Sequence, residues 1–243
     1  MLLMGGPEAE IFGEVATSMM PFQPTYGTQV LPQQPIDAIA AGSAAGIKVL
    51  TGATMQESLV FVVAMAEMFN EEMLEASVAQ TFGSVEKGHA ALELYRAQRP
   101  SALPFQITAA VETDRMFIVP ARRLADAQLQ HSPDVWMYRF DWATPIYDGA
   151  LGACHALELV FVFNNLHDPA ATFMCGDNAP QSVAEAMHQA WVAFVKTGTP
   201  QHAGIPSWPR HNTNDRPTMQ FNTTSTLGHN LNADEMALWD GVL

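Results

Sequence analysis

The chain has 243 residues, 48% of them apolar, which is enough for a sizeable core and fits one large domain or two small ones at roughly 100–200 residues each. A formal charge of −14, with the few basic residues scattered and ARR at 121–123 the densest group, excludes a nucleic-acid surface and gives no reason to expect an anionic membrane as partner. The longest apolar stretch, SLVFVVAMAEMF at 58–69, is too short to span a bilayer, and the start MLLMGGPEAE lacks the basic and apolar regions of a signal peptide, so a cytoplasmic location is expected.

Residues 1–34 are rich in Pro, Gly, Gln and Met without a sustained period and read as loops, with 1–21 irregular. The segment 34–46 predicts a short helix, with Pro35 near its first position and Gly42 near its end. IKVLTGA at 47–53 is a short β-branched run stopped by glycine, the pattern of a buried strand. A helical stretch follows over 57–98, with Gly83 and Gly88 marking breaks. Residues 107–130 read as two helical pieces meeting at Pro120, because proline removes an amide and kinks the axis.

DVWMYRFDW at 134–142 has the β-branched and aromatic density of a strand. In the helix that follows Pro180, Val183, Met187, Ala190, Trp191 and Phe194 form one apolar stripe, Gly198 stands at the C-cap, and Pro200 lies just beyond. TMQF at 218–221 is a candidate last strand, and 233–242 a closing helix. Strands alternate with helices, an α/β pattern, yet only three strands are credible, so the sheet is expected to be incomplete.

Cys154 and Cys175 read as buried thiols and not as a disulfide framework. The histidines occur without HExxH or paired CxxC spacing, and there is no GxGxxG or phosphate loop, so neither a metal nor a cofactor is expected.

Hydrolase chemistry leaves a fainter trace. A serine esterase needs a nucleophile, a base that takes its proton, and an acid that orients the base. In an α/β-hydrolase the acid and histidine follow the serine in that order, in loops just after strands. Glu57 lies shortly after the strand at 47–53, and His155 lies in the glycine-rich loop DGALGACH after the strand at 134–142. Each alone has an ordinary reading, since a glutamate heading a helix commonly caps it and a histidine before an apolar run is commonly a core residue. Glu158, the Phe161/Phe163 and Trp191/Phe194 groups, and Asp114 are equally at home in structural roles.

Several segments in register change that balance. FQPTYGTQVLPQQPIDAIAAGSAAGIKVLTGATMQES, then DVWMYRFDW followed by LGACHALELVFVF, then AWVAFVKTGTP, SWP and RPTMQF resemble the C-terminal half of the type-B carboxylesterases, the family of the cholinesterases and bacterial para-nitrobenzyl-type esterases. The resemblance covers nearly the whole chain from about residue 22. It implies a fold class of α/β, the C-terminal portion of an α/β-hydrolase fold over 1–243 with an incomplete sheet flanked by helices. It further implies that Glu57 corresponds to the triad acid and His155 to the general base.

Two departures stand out. The family's Asp-Glu-Gly reads Gln56-Glu57-Ser58, where Ser58 adds a Cβ that is expected to strain or reshape the turn, and its Asp-Gly before LP reads Gly27-Thr28. The nucleophile elbow Gly-x-Ser-x-Gly and the GGG-type oxyanion turn occur nowhere in these residues, AGSAAG at 41–46 and FGSVEKG at 82–88 lacking the spacing. Ser58 cannot substitute, because adjacent side chains on a helix do not face one another.

The expectation is therefore a carboxylic-ester hydrolase that carries the acid and histidine, takes a small-molecule ester if completed by an N-terminal half, and is inactive alone. The alternative is a non-catalytic interaction module or fragment of the same fold. Either way an exposed sheet edge invites self-association or a partner chain.

Overall fold

The computed structural model describes residues 24–242. The segment 1–21, read above as irregular, lies outside them.

A short helix α1 (Pro35–Ala40) leads into strand β1 (Val49–Thr54), as its Pro start and left-handed Gly42 require. After β1 the chain turns through Gln56–Ser58 into α2 (Leu59–Val62) and a 3-10 segment, Val63–Met68. Two longer helices follow, α3 (Glu71–Phe82) and α4 (Val85–Gln98). The dipeptide between them does two jobs: Gly83, at φ 81°, ends α3, and the Ser84 hydroxyl caps α4 by accepting from the Lys87 N–H at 3.2 Å. Only the first of the two expected glycine breaks exists. Gly88 sits inside α4, where a Cβ would come within 2.6 Å of Ala79 Cα, so its role is close helix–helix approach.

Helix α5 (Pro104–Thr113) begins earlier than expected, with Pro104 at its first position and the Gln106 side chain accepting from the Leu103 N–H at 2.8 Å. The interruption before α6 (Val119–Leu129) is a π-turn over Asp114–Ile118, not a kink at Pro120. Proline at 120 falls in the first turn of α6, where its missing N–H is not needed.

Strand β2 (Val135–Phe140) is followed by a 3-10 turn (Ile146–Gly149), the His155 loop, α7 (Leu159–Val162), α8 (Pro169–Cys175) and α9 (Gln181–Thr197). Gly198, at φ 77°, closes α9 as the sequence requires. Strand β3 (Thr218–Phe221) and a short β4 (Thr226–Gly228) complete the sheet, and α10 (Ala233–Ala237) is half the expected closing helix, giving way to turns. β4 escaped the sequence reading because three residues carry no usable period.

The sheet order is β1-β2-β3-β4, parallel except for the last pair. Strand β2 reads its two faces by alternation. Trp136 and Phe140 pack with Phe161, Met187, Met219 and Phe221 beneath α7 and α9, and Val135 and Met137 pack with Ala125 of α6 on the other side. A second core joins α3, α4 and α5 to the end of the chain around Leu74, Leu92, Tyr95, Ile107 and Trp239. Cys154 and Cys175 are both free and buried. No helix among the described residues is long and apolar enough to cross a membrane.

Among the described residues β1 stands at the edge of the sheet. The Val49 N–H bonds to the Asp134 carbonyl just before β2, and the Met55 N–H just after β1 bonds to the Phe140 carbonyl of β2, so by alternation the amides of Leu50 and Gly52 face away from β2. Thr54, next on that side, is not open: its N–H donates to Glu57.

Candidate active site

Parallel strands end at the same side of a sheet, so the loops after β1 and β2 emerge together. They are stitched by a short ladder. The Gln56 N–H donates to the Ala153 carbonyl at 3.0 Å, and the His155 N–H donates to the Glu57 carbonyl at 3.2 Å. Gln56 Oε1 accepts from the Ala153 N–H at 3.0 Å. Left-handed Gly152 (φ 57°) supplies the turn that lets the two loops meet.

Within this frame the two residues singled out in the sequence meet. Glu57 Oε2 lies 2.7 Å from His155 Nδ1. Glu57 Oε1 accepts from the Thr54 N–H at 2.7 Å. The carboxylate is only 4% exposed, while the imidazole is 45% exposed. A carboxylate only accepts, so Nδ1 carries the proton and Nε2 is left with its lone pair. Among the described residues Nε2 has no hydrogen-bond partner. Whenever the imidazole is neutral, the arrangement therefore holds it in one tautomer, with a carboxylate behind it to stabilise the cation after protonation.

Three further features were not legible in the sequence. The rings of Phe61 and Phe117 flank the imidazole at 5.4 and 5.2 Å, the second presented by the π-turn. The Ser58 N–H donates to Thr113 Oγ1 at 3.0 Å, tying the acid's turn to the end of α5. Ala156 sits at φ 64° immediately after the histidine, a strained position for a residue with a Cβ. Nothing in CHALEL signals that turn, since alanine is not a turn residue.

The strain expected at Ser58 is absent. Its φ and ψ are −84° and −5°, in the ordinary helical region, so no glycine is needed there. Ser58 is instead buried, with its hydroxyl lacking a partner among the described residues, and it takes no position against His155.

Glu158 lies nearby with one carboxyl oxygen buried and unpartnered. Burial, and then the charge of Glu57, push its carboxyl above the usual range. It does not hydrogen-bond the loop with that oxygen and so gives no buttress there. Burial likewise pushes the Cys154 thiol up to about 11, which keeps this neighbour of His155 inert. Asp114 makes a structural contact, accepting from the Tyr95 hydroxyl at 2.5 Å inside the second core.

Two cavities, of about 780 and about 50 Å3, are lined by neither Glu57 nor His155. The larger runs past Gln56 and Leu59 to Arg99, Asp114 and Glu235. The histidine sits on an open surface, and the segments that follow each key residue leave apolar side chains in water there: Phe61, Met65 and Met68 after Glu57, Leu159 and Phe163 after His155.

The model of the carboxylesterase family matches residues 6–239. The chain belongs to the carboxylesterase family. Among curated relatives of this type-B carboxylesterase chain, the para-nitrobenzyl esterase of Bacillus subtilis is 35% identical over 210 residues, covering 85% of the chain and 40% of the relative. Phenmedipham hydrolase of Pseudarthrobacter oxydans is 31% identical over 200 residues, covering 80% and 39%. Among solved structures, the carboxylesterase of Geobacillus stearothermophilus superposes with a TM-score of 0.78 at 33% identity, over 93% of the chain and 48% of that structure. The fold is thus that of the α/β-hydrolases, with a partial sheet, and the chain spans less than half the length of these relatives.

Proposed function

We propose that this carboxylesterase chain contributes the acid, Glu57, and the general base, His155, of a serine-type ester hydrolase whose nucleophile and oxyanion donors come from a polypeptide segment outside these 243 residues. The observation that carries the reading is the 2.7 Å contact between Glu57 Oε2 and His155 Nδ1, with Nε2 left free. A serine hydroxyl placed against Nε2 would pass its proton to the imidazole as its oxygen attacks an ester carbonyl. Glu57 would hold the tautomer and stabilise the imidazolium, and water would release the acyl group by the same relay.

The sequence carries no Gly-x-Ser-x-Gly, and without a nucleophile and oxyanion donors the pair has little to act on. The open edge of β1 is where such a segment would add, with the outward amides of Leu50 and Gly52 as its pairing groups. Left uncovered, the same edge and the exposed apolar side chains that follow Glu57 and His155 would drive self-association. The rings of Phe61 and Phe117 beside His155 favour apolar esters as the substrate class.

The test is hydrolysis of para-nitrophenyl butyrate by the purified chain, alone and mixed with a separately produced carboxylesterase N-terminal segment bearing Gly-x-Ser-x-Gly, each beside a His155→Ala control. Activity that appears only on mixing and vanishes with His155→Ala supports the proposal. Activity of the chain alone that survives the control would overturn it. Complex formation without activity would favour a non-catalytic binding module of the same fold.

A further inference from the structure

The larger cavity, of about 780 Å3, has the size of a small-molecule site. It lies between the turn after α4, helix α5, the π-turn and the start of α10. Its walls mix Leu59, Ala109 and Ile118 with Gln98, Ser101 and Asn232. Neither Glu57 nor His155 lines it.

Both arginines on these walls are committed. Arg99 gives Nη1 and Nη2 to the Glu235 carboxylate, the second at 3.1 Å, and Arg139 gives Nε and Nη2 to Asp141 at 2.6 and 2.8 Å. Asp234, also on the wall, is exposed to water in the first turn of α10. Asp114 is placed differently. It is only 2% exposed, its Oδ2 accepts from the Tyr95 hydroxyl, and its Oδ1 accepts no hydrogen bond among the described residues. That oxygen is not sealed in the core, so its open side is the cavity. With Glu235 and Asp141 each holding an arginine, Asp114 and Asp234 are the wall carboxyls without a cation, and only Asp114 is buried.

We propose that this cavity is a binding site for a small organic cation, an alkyl- or arylalkylammonium, whose charged head pairs with Asp114 Oδ1. A buried carboxylate is stable only when it is paired or protonated, and Tyr95 supplies one neutral hydrogen bond and no charge. Water at Oδ1 would donate a hydrogen bond but bring no charge either. An ammonium brings both. The side-chain amides of Gln98 and Asn232 and the Ser101 hydroxyl line the same space and offer oxygens to its remaining N–H groups. Leu59, Ile118 and the alanines of α5 take the apolar body. An anion is disfavoured there, because each guanidinium on the wall already holds a carboxylate. The site is separate from the Glu57–His155 pair and does not rest on the ester chemistry proposed above.

Isothermal titration of the full chain with 2-phenylethylammonium chloride at pH 8 tests the site, with 2-phenylethanol as the uncharged counterpart and ionic strength held constant by sodium chloride. Saturable one-to-one binding of the ammonium is expected, at least about tenfold tighter than that of the alcohol. Asp114→Asn keeps the shape of the side chain and loses the charge, and should weaken ammonium binding by at least about tenfold while leaving the alcohol unchanged. A pH series on the wild-type chain gives a readout that needs no variant. Burial keeps the unliganded carboxyl protonated below about 7, with Tyr95, Arg99, Arg139 and Glu235 the groups that face it. Affinity for the ammonium should therefore fall by at least about tenfold from pH 8 to pH 5.5, a range over which the amine stays charged. Ammonium that binds no better than the alcohol overturns the assignment. So does an Asp114→Asn chain with full affinity, or a wild-type affinity that is flat across the pH series.

Discussion

Gln56 fills the space that a side chain on Gly152 would need. Its amide oxygen stands against that glycine while accepting from the Ala153 N–H at 3.0 Å, so the loop after β1 and the loop after β2 fit only if residue 152 has no Cβ. Gly152→Ala adds an overlap to a left-handed φ of 57°. A loss of about 2 kcal/mol is expected, read from the urea midpoint at unchanged slope. Adding Gln56→Ala should recover the part due to overlap and leave the part due to φ. Full recovery in the double variant would mean that the backbone carries no strain.

Glu57→Gln should invert the histidine tautomer. The Thr54 N–H requires an oxygen at the Oε1 position, which turns the new amide NH2 toward His155 Nδ1 and makes that nitrogen an acceptor. Nitrogen NMR of the neutral imidazole should show the proton on Nδ1 in the wild type and on Nε2 in the variant. In a complex completed by a nucleophile-bearing segment, the same change should lower kcat by about 10^4. An unchanged tautomer would mean that Glu57 does not orient the ring.

Asp114 should make stability fall with rising pH. Burial pushes its carboxyl from 3.8 up to about 7, against the lowering effect of the Tyr95 hydroxyl bond. The folded state therefore holds a proton that the unfolded state releases at a much lower pH. The contribution is fully present below about 4 and is lost as pH rises through about 7. Asp114→Asn should remove this dependence, so that its stability relative to wild type rises between pH 4 and pH 8 by a few kcal/mol at most. Parallel pH–stability curves for the two chains would count against a neutral Asp114.

Phe161→Ala should loosen the histidine loop from beneath. Phe161 is fully buried, with its ring 5.1 Å from Phe140 and 5.0 Å from Trp142, in the helix that follows the His155 loop. A loss of about 4 kcal/mol is expected, with faster hydrogen exchange at the His155 N–H that bonds Glu57. Destabilisation without a change at that amide would separate the core from the site.

The elements with strong periodicity were readable in order. Helix α9 announces its stripe and its Gly198 cap, and β1 and β2 stand out by β-branched and aromatic density. Boundaries failed where tertiary contact overrode local preference. Gly88 looks like a helix break but is a contact with Ala79, and the disturbance near Pro120 is a π-turn at Asp114–Ile118, before the proline. Chain order and the resemblance picked out Glu57 and His155, because an acid and a histidine after successive strands is a pattern of residue types.

The sequence by itself determined the residue types, the strand-then-loop positions of Glu57 and His155, the acidic surface and the family. It could not state that their side chains meet at 2.7 Å, since 98 residues separate them and only the parallel pairing of β1 with β2 brings the loops together. The rings at Phe61 and Phe117 and the strained Ala156 were decided by tertiary structure alone. Each depends on where distant segments pack, and that is a property of the filled core and not of any local pattern.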